Sequence, residues 1–362
     1  MIEFSGIWSL ASNALFMCIG VLGIGFVIAF HEFGHFLFGK LFGVTIHTFS
    51  IGFGPQLITK RIWDTNFTIS LIPLGGYVEP EPGLKENPTP GTIAFLPYWK
   101  KMMIIFGGIL FNIIFAYGAF VFLGMTGIPE SQMYTETGAH KVHMVLADSA
   151  AFKAGITKGD KIISINGQDV SHNLALLKEL INKPSEHPLN LALERNNEQI
   201  SLTVTPDEIV QKNTSVRQLG TGFIFEKTPG VSFNAAVKKA YTRTTSIMRN
   251  TLGFFKQAAK KRSTEGLSGP IGMITMAITM IQQSFLLFLL LLAVISVNLA
   301  ALNLLPLPIL DGGQGLTYTI EALWGKPLKE SVINTIHIGS WVFMMALFAY
   351  LTYKDVITLW FS

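Results

Sequence analysis

His31, Glu32 and His35 are the residues whose types and spacing speak most directly of chemistry. They stand in the run His31-Glu32-Phe33-Gly34-His35, an H-E-x-x-H pattern, and no charged residue lies between Ile7 and Phe30 before it. Positions i and i+4 of a helix share a face, so both imidazoles would point the same way. Two neutral imidazoles at that spacing can hold one zinc ion, and Glu32 is placed to take a proton from a water beside it. Ionisable groups inside an apolar span are costly and usually serve a function. The plainer alternative is a chance match, with histidines that snorkel to a membrane surface.

A catalytic zinc site has three protein ligands and one open position. Among the acids, Asp311 best supplies the third ligand. It follows Pro306 and Pro308, which break an apolar run at membrane depth. Broken backbone there is tolerated only where it lines a cavity or is covered by protein. Glu79 and Glu81 fall in an expected loop, and Glu321 in a more polar stretch.

The elements that must position these groups follow from composition and pattern. The chain is 49% hydrophobic and 14% charged, which excludes an ordinary soluble enzyme and points to an integral membrane protein. A net charge of +4 without a basic, aromatic-studded stripe excludes a nucleic-acid partner. The single cysteine, Cys18, cannot form an internal disulfide and reads as a small buried hydrophobe. No lysine or arginine precedes the first apolar run, so that run reads as a retained span, not a removed signal peptide.

The expected fold is a polytopic α-helical membrane protein of about four transmembrane helices, with a membrane-associated β-hairpin or small sheet and an inserted α+β domain. Residues 1–41 form the first span and 42–99 a β-hairpin region and loop, with turns at Gly52-Phe53-Gly54-Pro55 and an end at Leu74-Gly75-Gly76-Tyr77. Residues 100–126 form the second span, where Gly107, Gly108 and Gly118 suit close helix packing. Asn112 in that span reads as a packing residue first and a polar contact near the metal second. Residues 135–228 form the soluble domain, with Asn166-Gly167 as a hairpin turn and strands around Asn196-Asn197. Residues 229–283 combine a basic helix, whose charged face is solvated, with an interfacial or re-entrant segment. Residues 284–313 form the third span and 330–353 the fourth, in which His337 is a satisfied packing residue. His31 lies nine residues before Lys40, so a helical rise puts it about 14 Å from that polar end. Lys40, Lys60, Arg61, Lys85, Lys100 and Lys101 crowd the first connector. The N-terminus and soluble domain are therefore expected outside a bacterial inner membrane, and the metal nearer the cytoplasmic face.

These residues resemble a family. His31-Glu32-Phe33-Gly34-His35, Phe49 to Pro55, Pro73 to Tyr77, Ser268-Gly269-Pro270-Ile271 and Asn303 to Gly313 together look like the bacterial site-2 intramembrane zinc metalloproteases of the RseP and RasP type. The resemblance spans nearly the whole chain. Ser149 to Gly155, Gly159-Asp160 and Ile165 to Gly167 are similar to that family's PDZ domains, of which there is room for one. The resemblance implies His31, His35 and Asp311 as ligands of Zn2+, Glu32 as the catalytic glutamate, and Asn303 as a second catalytic group near the substrate backbone. It implies that Gly75, Gly76 and Tyr77 bind an unwound substrate strand. The implied substrates are single-span membrane proteins, such as anti-sigma factors or remnant signal peptides, cut in regulated intramembrane proteolysis. It favours the PDZ domain as a size filter over a C-terminus binder. Lipid is the other partner. The rival is a PDZ-bearing membrane scaffold or transporter whose metal is structural or absent, since broken helices with intramembrane polar groups occur there too.

Overall fold

The computed structural model describes residues 4–83, 88–129, 140–171, 173–183, 187–211, 214–225, 227–261 and 269–361. In chain order these form α1 (Phe4–Leu41), β1 (Ile46–Ile62), β2 (Thr65–Pro80) and α2 (Tyr98–Thr126). Next come β3 (His140–Val145), α3 (Ala150–Lys153), β4 (Lys161–Ile165), β5 (Gln168–Asp169), α4 (Leu174–Asn182), β6 (Leu189–Arg195) and β7 (Glu198–Val204). Then follow β8 (Asp207–Gln211), β9 (Thr214–Gln218), β10 (Thr221–Phe225), α5 (Phe233–Lys261), α6 (Pro270–Gln283), α7 (Phe285–Asn303), α8 (Asp311–Trp324) and α9 (Glu330–Phe361). The chain divides into two units, Met1–Gly124 with Ser232–Ser362, and Met125–Val231.

In the first unit, four helical segments are long and apolar enough to cross a membrane: Asn13–Leu41, Tyr98–Thr126, Phe285–Asn303 and Ser331–Ile357. About 20 apolar residues span the hydrocarbon, and a helix satisfies every backbone group internally. Cys18 lies exposed on α1 and His337 on α9, where packed positions were expected for both. The outer face of a membrane helix meets lipid, so exposure there costs such residues little.

The approach of α1 to α2 is unusually close. A Cβ placed on Gly34 would stand 2.8 Å from the Gly108 backbone nitrogen, and one on Gly107 would stand 3.0 Å from the Gly34 carbonyl carbon. Only hydrogen at these positions lets the two backbones touch.

Past α1 the chain forms a hairpin whose turn is at Trp63 and Asp64, both with positive φ. Gly52 to Pro55, expected as the turn, is instead a bend inside β1. Likewise Leu74 to Tyr77 does not end the sheet, because β2 continues to Pro80. Gly75, at φ 141, lets the strand bend there and continue. The bends fold each long strand back on its partner. Thr48 to Ile51 faces Asn66 to Ile69 on one side and Gly76 to Glu79 on the other. Phe36, Val44, Ile46, Phe49 and Ile104 are buried together, fastening the hairpin to α1 and α2.

The segment expected to be interfacial or re-entrant holds α6, a 14-residue helix. Its first amides, Gly269 N–H and Gly272 N–H, donate to the Asp355 carboxylate of α9 at 3.0 and 2.8 Å. Ser268 lies outside the described residues, as do 84–87 of the first connector and 135–139 of the soluble domain. On α5, the Arg243 guanidinium lies 5.1 Å from the centre of the Phe120 ring.

The second unit is α+β. β5-β4-β6-β7 form an antiparallel sheet, β10 pairs with β3, and β8 with β9. Two-residue turns with positive φ join β4 to β5 at Asn166-Gly167 and β6 to β7 at Asn196-Asn197. Val142, Ile162, Ile165, Leu177, Leu191 and Leu193 fill its core.

At the edge of that core Asp160 is 1% exposed. It accepts from Arg195 Nε and Nη2, both at 2.7 Å, and from the Thr157 amide at 2.8 Å. Burial pushes the carboxyl upward, but these donors outweigh it and hold Asp160 below the usual carboxylate range. A depressed folded value means the pair stabilises the unit above the unfolded pKa, near 4, and that this contribution fades as pH falls further. Arg195→Ala strands a buried carboxylate, with an expected cost of about 3 kcal/mol. Hydrogen exchange of the β4–β6 amides in the full chain should show that loss at pH 7. In the parent chain, the same amides should lose protection on acidification through pH 4.

Candidate metal centre and active site

Two helices crossing antiparallel build the site. His31 and His35, one turn apart on α1, face Ile104, Gly108 and Asn112, also spaced by four, on α2. His35 donates its Nδ1 proton to the Ile104 carbonyl at 2.8 Å, so its Nε2 carries the lone pair. His31 Nδ1 lies 3.1 Å from the Asn112 carboxamide. Gly108 sits between them, where a Cβ would come within 2.6 Å of His31 Cε1. The rings meet edge to face at 86°.

The third donor comes from the break after α7. Asp311 is the first residue of α8, rather than part of the irregular segment expected to carry it. Leu307 N–H donates to Leu305 O and Leu310 N–H to Leu307 O, both at 2.8 Å, so the proline-broken turn satisfies these groups locally. Asp311 Oδ2 stands 3.2 Å from His31 Nε2 and 3.4 Å from His35 Nε2. The two Nε2 atoms are 3.2 Å apart. Asp311 Oδ2 is buried and lacks a hydrogen-bond partner. Ligand atoms about 2.1 Å from a tetrahedral zinc ion stand about 3.4 Å apart, so this donor set fits one.

Glu32 faces the same cavity of about 420 Å³, together with Asn303, Val78, Lys101 and Tyr318. Asn303, at the last residue of α7, brings Nδ2 to 3.3 Å from His31 Nε2. The hairpin borders this cavity through β2. A Cβ on Gly76 would lie 3.4 Å from Glu32 Cγ and 2.7 Å from the Ser50 carbonyl oxygen. Tyr77, the next residue, stacks on Phe53 at 6.3 Å. Of Gly75, Gly76 and Tyr77, Gly76 is the one brought against Glu32, while Gly75 and Tyr77 lie against Phe53. The structure also separates the two asparagines of the third span: Asn298 accepts from Thr251 of α5 at 2.7 Å, away from the three donors.

The Ile104 carbonyl is the site group that sequence reasoning passed over, while Gly108 was read for packing and Asn112 for packing first and a polar contact near the metal second. The signal was present, because 104, 108 and 112 repeat the spacing of four that relates His31 to His35. Packing glycines in the same helix masked it.

Known proteins resemble this chain over most of its length. The chain is 31% identical over 352 residues to a Campylobacter jejuni protein provisionally named a zinc metalloprotease, covering 93% of this chain and 92% of that one. It is 31% identical over 357 residues to a similarly named Helicobacter pylori protein, covering 91% and 96%. It is 26% identical to the zinc metalloprotease RasP of Oceanobacillus iheyensis, covering 93% and 97%. The profile of peptidase family M50 matches residues 19–347, nearly the whole chain and all three donors, and the chain therefore belongs to peptidase family M50.

Proposed function

We propose that this chain is a zinc-dependent intramembrane endopeptidase acting on single-span membrane proteins. The observation that carries the reading is the convergence of His31 Nε2, His35 Nε2 and Asp311 Oδ2 within 3.4 Å, beside Glu32, among helices apolar enough to cross a membrane. The family and the zinc metalloprotease names of its relatives support it. A transporter is disfavoured, since the three donors and an acid share one cavity in a peptidase family.

His31, His35 and Asp311 hold the ion in this reading, which supplies Lewis acidity to a carbonyl and lowers the pKa of water. Glu32 takes the proton from the attacking water and returns it to the leaving amine. Asn303 Nδ2 donates to the oxygen that becomes negative as the carbonyl is attacked. A substrate helix hides its carbonyls in i to i−4 bonds and must unwind first. Among the described residues no further strand pairs beyond Gly76 to Glu79, so this segment can receive an extended substrate and replace the broken bonds. The Met125–Val231 unit is the PDZ-type module and screens substrates by the bulk of their outer domains. The basic first connector favours placing it outside the inner membrane, with the metal nearer the cytoplasm. Anti-sigma factors and remnant signal peptides are the substrate classes that fit.

Three variants, purified in detergent and assayed on a single-span substrate, test this reading. Glu32→Gln should lower cleavage at least 100-fold with zinc per chain unchanged, from loss of a proton-transfer group; cleavage at the parent rate would overturn the mechanism. Asp311→Asn should shed zinc under mild chelation, and parental zinc content would remove Asp311 from the donor set. Gly76→Val should slow cleavage about tenfold or more with zinc retained, because the side chain meets the Ser50 carbonyl. A normal rate would rule out strand addition.

A further inference from the structure

The two imidazoles are held from behind by different means. His35 uses a backbone carbonyl, which can only accept, so its proton is fixed on Nδ1. His31 meets a side chain instead. Asn112 is fully buried, and its backbone carbonyl accepts from Ser296 Oγ at 2.9 Å, which ties this point of α2 to α7. Its Nδ2 faces His31 Nδ1, while its Oδ1 is buried without a hydrogen-bond partner. No helix-packing role calls for a carboxamide in that position. A leucine fills the same volume without an orphaned acceptor.

We infer that Asn112 is a positioning residue: its side-chain carbonyl accepts the Nδ1 proton of His31 and so presents a bare Nε2 to the metal. The inference rests on the zinc site proposed above. His31 Nε2 points at Asp311 Oδ2 and His35 Nε2, and only its lone pair can bind a cation there. A neutral imidazole then carries its proton on Nδ1, and an N–H needs an oxygen opposite. A half-turn of the carboxamide exchanges Oδ1 and Nδ2 within the same envelope. One amide end lacks a partner either way, so the ion's need for a bare Nε2 decides the orientation. Both histidines are then set alike, one by a carbonyl of the α2 backbone and one by a carbonyl two turns further along the same helix.

The test is zinc affinity of the purified full chain, measured by competition with a chromophoric chelator. Asn112→Asp can only accept, and is expected to bind zinc at least as tightly as the parent. Asn112→Leu fills the space but accepts nothing, and is expected to bind about 10- to 100-fold more weakly. The thermal midpoint of its metal-free form should be unchanged. Parental affinity in Asn112→Leu overturns the inference. So does loss of zinc in folded Asn112→Asp, which decides the matter even if the leucine variant does not fold. His31→Ala separates the two readings. If it sheds zinc while Asn112→Leu keeps it, Asn112 alone is misassigned. If His31→Ala keeps zinc, the metal site itself is misplaced.

Discussion

Backbone contact between α1 and α2 is the constraint on which the rest of the site depends. With only hydrogen on Gly34, Gly107 and Gly108, the helices approach until His35 reaches the Ile104 carbonyl and His31 reaches Asn112. An ordinary interaxial distance of 8–10 Å would leave both rings short of these partners. Each ring would then have an unpaired N–H in an apolar interior, at a cost of roughly 1–3 kcal/mol apiece. Close packing and polar satisfaction are one problem here. The glycines of α2 solve both parts.

The same logic explains why Asp311 arrives where it does. A carboxylate inside a hydrophobic bundle is expensive unless something answers its charge. Its place in the first turn of α8 sets it against the positive end of that helix, and the two imidazoles lie across from it. The prolines before it end α7 at the depth of the histidines, so Asn303 and Asp311 both reach the cavity from either side of one break. Ser284 at the other end of α7 caps the helix through the Leu286 amide, and Asn298 is spent on α5. Each polar residue described in this helix region thus has a distinct partner.

The convergence of the donor residues was legible because its signals are local. H-E-x-x-H writes its geometry in a spacing of four, and the N-x-x-P-x-P…D-G run announces a broken helix that ends in an acid. Helix existence was legible from long apolar runs for the same reason. The hairpin was half legible. Alternation located its strands, but glycines and a proline at 52–55 carry the same composition whether a chain turns or bends within a strand. The true turn, Trp63-Asp64, places an aspartate that tolerates positive φ after a tryptophan that seldom adopts it, and no glycine or asparagine marks the pair. Asn112 was ambiguous for another reason: its partner lies 81 residues away, and the register of α1 against α2 is a tertiary fact. Cys18 and His337 were misjudged because burial is the wrong axis for a helix whose solvent is hydrocarbon.

Asp311 opens a short helix that follows a proline-containing turn, while the two imidazoles share one continuous rod. The three donors are thus unequal mechanically. One pair is stiff and keeps its spacing whatever happens at the helix ends. The third is held through the 304–310 turn, where a Cβ on Gly312 would come within 2.6 Å of the Leu304 carbonyl oxygen. A displacement of that turn would therefore move one donor against a fixed pair, so the spacing of the set is decided at the break after α7.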